Sequence, residues 1–113
     1  MKSSEIVVAL EGLASEPRLG IFRLLVVAGP DGLPAGRIAE RMGLPAPTLS
    51  FHLSQLKNAG LIACRRDGRS LIYAADFAAI NGLVEFLTVN CCGGDPAQCA
   101  PAVVRSKRNR RAP

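Results

Sequence analysis

The chain has no tryptophan and one tyrosine, and aromatic residues make up only 4% of its 113 positions. With 49% hydrophobic residues, its core is therefore expected to be aliphatic and mostly helical. It has a single histidine, which leaves no second imidazole for a paired metal or acid–base site. No apolar run reaches membrane-spanning length. The opening Met1-Lys2-Ser3-Ser4-Glu5 lacks the layout of a signal peptide, so a cytoplasmic protein without a membrane partner is expected. Acidic residues are scarce, 9 against 14 Lys and Arg, giving a net charge of +5. Such a balance suits a polyanionic partner, although a merely soluble basic protein has it too. No internal repeat is present, and the length fits one domain with a tail.

Helical and strand periodicities divide the chain as follows. Ser4 is expected to cap a first helix carrying Ile6, Val7, Leu10 and Leu13. Ser15-Glu16-Pro17 starts a second, with Leu19, Phe22, Leu25 and Val26 inward, ended by Gly29-Pro30-Asp31-Gly32. Pro34 opens a third, with Ile38, Ala39 and Met42 inward, and Gly43 stops it. A fourth runs from Pro45 or Ala46 to Ala59 and is closed by Gly60. The period then changes to two on either side of Asp67-Gly68, which signals a hairpin. Asp76 caps a last helix whose stripe is Phe77, Ile80, Leu83, Val84 and Leu87. Two helices joined by a short Gly-containing turn and followed by a hairpin predict a mainly α winged helix-turn-helix fold. The expected organisation is a DNA-binding and dimerisation domain over 1–90, a cysteine loop over 91–99 and a basic, unstructured tail over 100–113.

On the fourth helix Leu49, Leu53 and Leu56 share one narrow stripe and should face inward. Thr48, Phe51, His52 and Gln55 fall on the neighbouring stripe, with Ser50 further round. Short polar groups, amide donors and an apolar contact for a thymine methyl are what a helix in the major groove needs. An ordinary amphipathic helix with a solvated face has the same pattern, but an exposed Phe51 fits that poorly unless it packs on the wing. His52, being alone, is expected to be a structural hydrogen-bonding residue or a DNA contact rather than a ligand or a base. Arg65, Arg66 and Arg69 place three guanidiniums at the hairpin tip, suited to phosphate or minor-groove contact in double-stranded DNA.

At these residues the chain resembles the ArsR/SmtB repressors. Ala14-Ser15-Glu16-Pro17-Arg18-Leu19 resembles their opening motif. Leu44 to Leu61, with Ser50-Phe51-His52-Leu53 and Ala59-Gly60-Leu61 inside it, is similar to their recognition-helix signature. Arg65 through Tyr73 resembles their wing, and the likeness runs from about residue 5 to about residue 90. The resemblance implies a homodimer paired through the first and last helices. It also implies a repressor that sits on its operator without a cofactor and is released by an inducer. Ile6, Leu10, Leu13, Ile80, Leu83, Val84 and Leu87 are the expected interface, being more apolar surface than a small core can absorb.

Three of the four cysteines, Cys91, Cys92 and Cys99, lie within nine residues in a Gly/Pro-containing stretch. The family's zinc sites use Asp/His pairs on the last helix, and no His follows Asp76. Another of its sites uses a Cys-x-Cys at the start of the third helix, and Leu33 to Arg41 hold no Cys. The remaining set resembles the arsenite-responsive members with a vicinal pair and a third Cys, so arsenite or antimonite is the expected inducer. The chemistry agrees, because trivalent arsenic takes three thiolates in a pyramid whereas zinc takes four ligands. Asp95 keeps a zinc or cadmium site open, and Cys99 with Cys91 or Cys92 keeps a thiol redox or persulfide sensor open. A small thiol enzyme is the remaining class. It lacks a general base, and the C-x5-R spacing from Cys99 to Arg105 lies in a stretch without a phosphate loop. Cys64 is expected to be a half-buried bystander on the wing.

Overall fold

A computed structural model describes residues 1–94. The side chains of Cys91 and Cys92, together with Cys99 and the whole basic tail, lie outside the described residues. The order is α1 (Ser3–Leu13), α2 (Glu16–Ala28), β1 (Leu33–Pro34), α3 (Ala35–Met42), α4 (Ala46–Asn58), β2 (Ile62–Asp67), β3 (Ser70–Ala75) and α5 (Phe77–Thr88), then a 3-10 turn at Cys91–Gly94. The chain divides into two units at Leu83/Val84, within α5.

The first unit is centred on one aliphatic cluster. Ile21 and Leu25 of α2, Ile38 of α3 and Leu49, Leu53 and Leu56 of α4 are buried together with Leu61 and Ile62 at the start of the wing. Each buried Leu or Ile contributes about 1.5–3 kcal/mol of apolar transfer. On α4 the inward stripe is the expected one. On α2 it is not: Leu19 is 46% exposed and Ile21 takes the core place. On α1 the inward residues are Ile6, Ala9 and Gly12, while Val7 stands at 54% exposure. Gly12 permits this packing, because a Cβ there would lie 2.7 Å from Ala59 Cβ and 3.1 Å from Leu61 Cδ1.

Helix ends explain the boundaries. Helix α1 begins two residues earlier than expected, with Lys2 rather than Ser4 as cap and the Lys2 N–H donating to Glu5 Oε1 at 2.7 Å. The C-terminus of α1 is met by Arg18, whose Nε donates to Gly12 O at 2.7 Å, a cation on the negative end of the helix dipole. Ser15 caps α2, accepting from Arg18 N. Both helices of the motif end in Schellman turns. Leu44 N donates to Ala39 O behind Gly43, and Leu61 N donates to Leu56 O behind Gly60. Gly43 and Gly60 both take positive φ, at 66° and 78°. Asp76 caps α5 through Ala79 N at 3.1 Å, as expected.

The sheet has the order β1-β3-β2 and is antiparallel throughout. Strand β1 was not foreseen: Leu33 and Pro34 pair with Tyr73 and Ile72, and Pro34 caps α3 rather than opening it. The hairpin is also one residue out of the expected place. Asp67 pairs with Ser70, so Gly68-Arg69 is the two-residue loop. Gly68 carries the positive φ of 64° that the first position of a type II′ turn requires.

Candidate DNA-binding surface

Helix α4 presents Thr48, Ser50, Phe51 and Gln55 to solvent while Leu49, Leu53 and Leu56 anchor it. Phe51 is 58% exposed, so it does not pack on the wing. An exposed phenyl ring flanked by hydroxyls is the mixture that base edges and thymine methyls call for. His52 sits at the border, half-buried, its ring 5.8 Å from that of Phe51 in an edge-to-face arrangement. Gln55 lies on the side turned toward α1, where it lines a recess with Glu11, Arg18 and Asn58. It stands one turn along from Phe51 on the same face of the helix.

The three wing arginines are all exposed, but they are not equivalent. Arg65 Nη2 donates to Asp31 O at 2.9 Å, tying β2 to the turn after α2. Arg66 and Arg69 make no such bond among the described residues, and Arg69 lines a recess with Pro34, Ala35 and Gly36 at the start of α3. The α3 N-terminus has no side-chain cap, so its first-turn N–H groups face that recess edge unmet by a side chain. Arg37 and Arg41, exposed on α3, were not singled out from the sequence. The signal was available, since the first helix of such a motif crosses the DNA backbone.

Cys64 faces Tyr73 directly across the hairpin, on the half-buried side of the wing. Burial raises the Tyr73 phenol above its ordinary value, and the Cys64 thiol beside it, through a hydrogen bond and its charge, adds to the rise. The half-buried place on the wing expected for Cys64 is the one observed. Among the described residues no group of three His, Cys, Asp or Glu side chains could hold a metal ion.

The expected interface residues divide by burial. Leu10, Val84 and Leu87 are exposed, at 43%, 54% and 59%. Ile6 is 3% exposed and belongs to the interior of the single chain, which corrects its assignment to a pairing surface. Leu13 and Ile80 lean on the core cluster and are only partly open. No helix among the described residues is long and apolar enough to cross a membrane.

The helix-turn-helix, the wing and the exposed polar face of α4 define a winged helix-turn-helix DNA-binding regulator. Residues 13–65 match a helix-turn-helix domain family. The chain is 38% identical over 60 residues to the uncharacterized HTH-type transcriptional regulator YceK of Bacillus subtilis, covering 53% of this chain and 59% of that protein. It is 31% identical over 85 residues to the HTH-type transcriptional regulator YgaV of Escherichia coli, covering 75% of this chain and 85% of that protein. An ArsR-like transcriptional regulator from Rhodococcus sp. RHA1 superposes with a TM-score of 0.70, at 24% identity, over 89% of this chain and 92% of that one. The homodimeric winged helix-turn-helix domain Mb0332 of Mycobacterium bovis, described as a possible ArsR-family regulator, gives 0.61 at 28% identity, over 77% and 81%. This chain belongs to the ArsR/SmtB family of helix-turn-helix transcriptional regulators.

Proposed function

We propose that the protein is a homodimeric repressor. It occupies a palindromic operator and leaves it when trivalent arsenic or antimony is bound by Cys91, Cys92 and Cys99. The observation that carries this reading is the position of the vicinal cysteines. Helix α5 ends at Thr88, Asn90 turns the chain with φ 56°, and Cys91 begins the 3-10 turn closed by Gly94 N donating to Asn90 O at 3.1 Å. The cysteine pair thus follows directly on a helix that exposes Val84 and Leu87. The donor set also fits the ligand. Arsenous acid exchanges its three hydroxyls for three thiolates, each exchange releasing one water, and needs neither nitrogen nor a fourth ligand.

Pairing of two chains through α1 and α5 supplies the coupling. A two-fold dimer matches half-sites one helical turn apart. In this reading Phe51, Thr48, Ser50, His52 and Gln55 read the major groove, and Arg65, Arg66 and Arg69 hold the backbone. Drawing Cys99 onto the end of α5 favours a dimer arrangement whose α4 helices no longer match the operator. A coupling of about 1–3 kcal/mol already changes operator affinity by roughly 5- to 150-fold.

The test replaces Cys91, Cys92 and Cys99 singly with Ser and follows operator release in a gel shift. Arsenite should release the unmodified protein and fail on at least one variant. Unchanged release from all three variants overturns the assignment. Release by peroxide or by zinc or cadmium, with none by arsenite, turns the same cysteines into a redox or divalent-metal sensor. A transcription assay on the operator template fixes the sign, with repression expected.

A further inference from the structure

His52 is the one histidine of the chain, and its two ring nitrogens have unequal surroundings. Nδ1 is buried and has no hydrogen-bond partner. Nε2 is not among the buried unpaired atoms and no protein group among the described residues bonds to it, so it faces solvent. A neutral imidazole carries its hydrogen on one nitrogen and a lone pair on the other. A hydrogen on Nδ1 would be a buried donor with nothing to accept it, the kind of orphan that folded proteins rarely keep. A lone pair there is the more tolerated deficit. The hydrogen therefore belongs on Nε2, on the open side of α4.

We propose that His52 is held as the Nε2–H tautomer and serves as a one-directional donor that reads a purine N7 in the major groove. This rests on α4 being the DNA-reading helix. Three features favour a base over a phosphate. The ring is half-buried and stands edge-to-face with the Phe51 ring, 5.8 Å away, on a side chain shorter than the wing arginines, so it follows a flexible backbone less well than they do. A single donor of fixed direction matches the N7 acceptor, which both purines carry. The exposed Phe51 beside it offers apolar surface to a thymine methyl. The two rings together then read neighbouring base pairs, a purine under His52 and a thymine under Phe51.

Two measurements decide. In the free protein a long-range nitrogen–proton NMR spectrum shows one imidazole, because there is one histidine. The expected spectrum has a protonated Nε2 and an unprotonated Nδ1, and the reverse tautomer overturns the proposal. Next, an operator selected from random DNA is scanned with 7-deazapurines, which lack only the N7 acceptor. One position per half-site should weaken the unmodified protein by roughly 3- to 10-fold, the worth of one hydrogen bond. The same change should leave His52→Ala unaffected and His52→Gln, which keeps an N–H at similar reach, partly affected. A scan with no sensitive purine in the unmodified protein overturns the proposal, whatever the variants do. Coupling only to methylphosphonate linkages also overturns it, making His52 a phosphate contact. If the selection yields no preferred sequence at all, the reading of α4 itself fails, which is a separate outcome.

Discussion

Replacing Gly12 with Ala adds one methyl group at the closest approach of α1 and α4. The new Cβ would lie 2.7 Å from Ala59 Cβ and 3.1 Å from Leu61 Cδ1. Carbon atoms in good contact stand about 3.5–4.0 Å apart, so the two segments must separate by about 1 Å. Overpacking of this size costs about 1–3 kcal/mol. Alanine returns up to about 1 kcal/mol over glycine as a helix former. The net loss is then about 1 kcal/mol and at most about 2, which for a domain this small lowers Tm by roughly 4–8 °C per kcal/mol. Thermal and urea denaturation of Gly12→Ala, Ala59→Gly and the double variant form a cycle that isolates the contact. Removing the Ala59 methyl should make Gly12→Ala neutral or stabilising. A single Gly12→Ala variant that is more stable than the parent, with no coupling to Ala59, would refute the close approach and with it the seating of α1 on the motif.

Other expectations follow from the surface and the wing. Arg66→Ala and Arg69→Ala should weaken binding to operator and random DNA alike, each lowering the slope of log affinity against log salt by about 1. Leu87, at 59% exposure, costs the single chain little when changed, so Leu87→Glu should give a folded monomer in light scattering while Val27→Glu, at 74% exposure on α2, stays a dimer. The raised Tyr73 phenol makes the protein less stable at alkaline pH. Above the ordinary value near 10 the unfolded chain loses this proton while the folded one keeps it, so stability falls as pH rises from there through the folded value. Tyr73→Phe should flatten the Tm profile above about pH 10.

The recognition helix was legible because, of its four large apolar side chains, Leu49, Leu53 and Leu56 share one stripe while Phe51 lies on the opposite side, leaving one possible inward stripe. Helix α2 was not legible at that level. Leu19, Ile21, Phe22, Leu24, Leu25, Val26 and Val27 put apolar groups almost all round it, so periodicity could not choose between Leu19 and Ile21, and packing against α3 and α4 did. The same crowding on α1 hid that Ile6 turns inward. Strand β1 is only two residues long, one of them proline, and no period can be read in two residues. Its place comes from Gly32, where a Cβ would run into the Tyr73 carbonyl, and φ is 70°. The hairpin loop slipped by one because Asp67-Gly68 satisfies a turn pattern as well as Gly68-Arg69 does, and the cross-strand register decided. The cysteine cluster was found by composition and redox chemistry, which need no fold.

The order β1-β3-β2 leaves the small sheet with two open edges, and each is blunted differently. On one side the edge strand is two residues long and half of it is Pro34, which has no N–H to offer. On the other, β2 carries Arg65 and Arg66 before Asp67, all exposed. An incoming strand would have to desolvate both guanidiniums to add to that edge. The arginines proposed to hold a phosphate backbone thus also oppose β-addition between copies of the chain. A neutralised wing should not only bind DNA less tightly but also become the surface at which the protein self-associates.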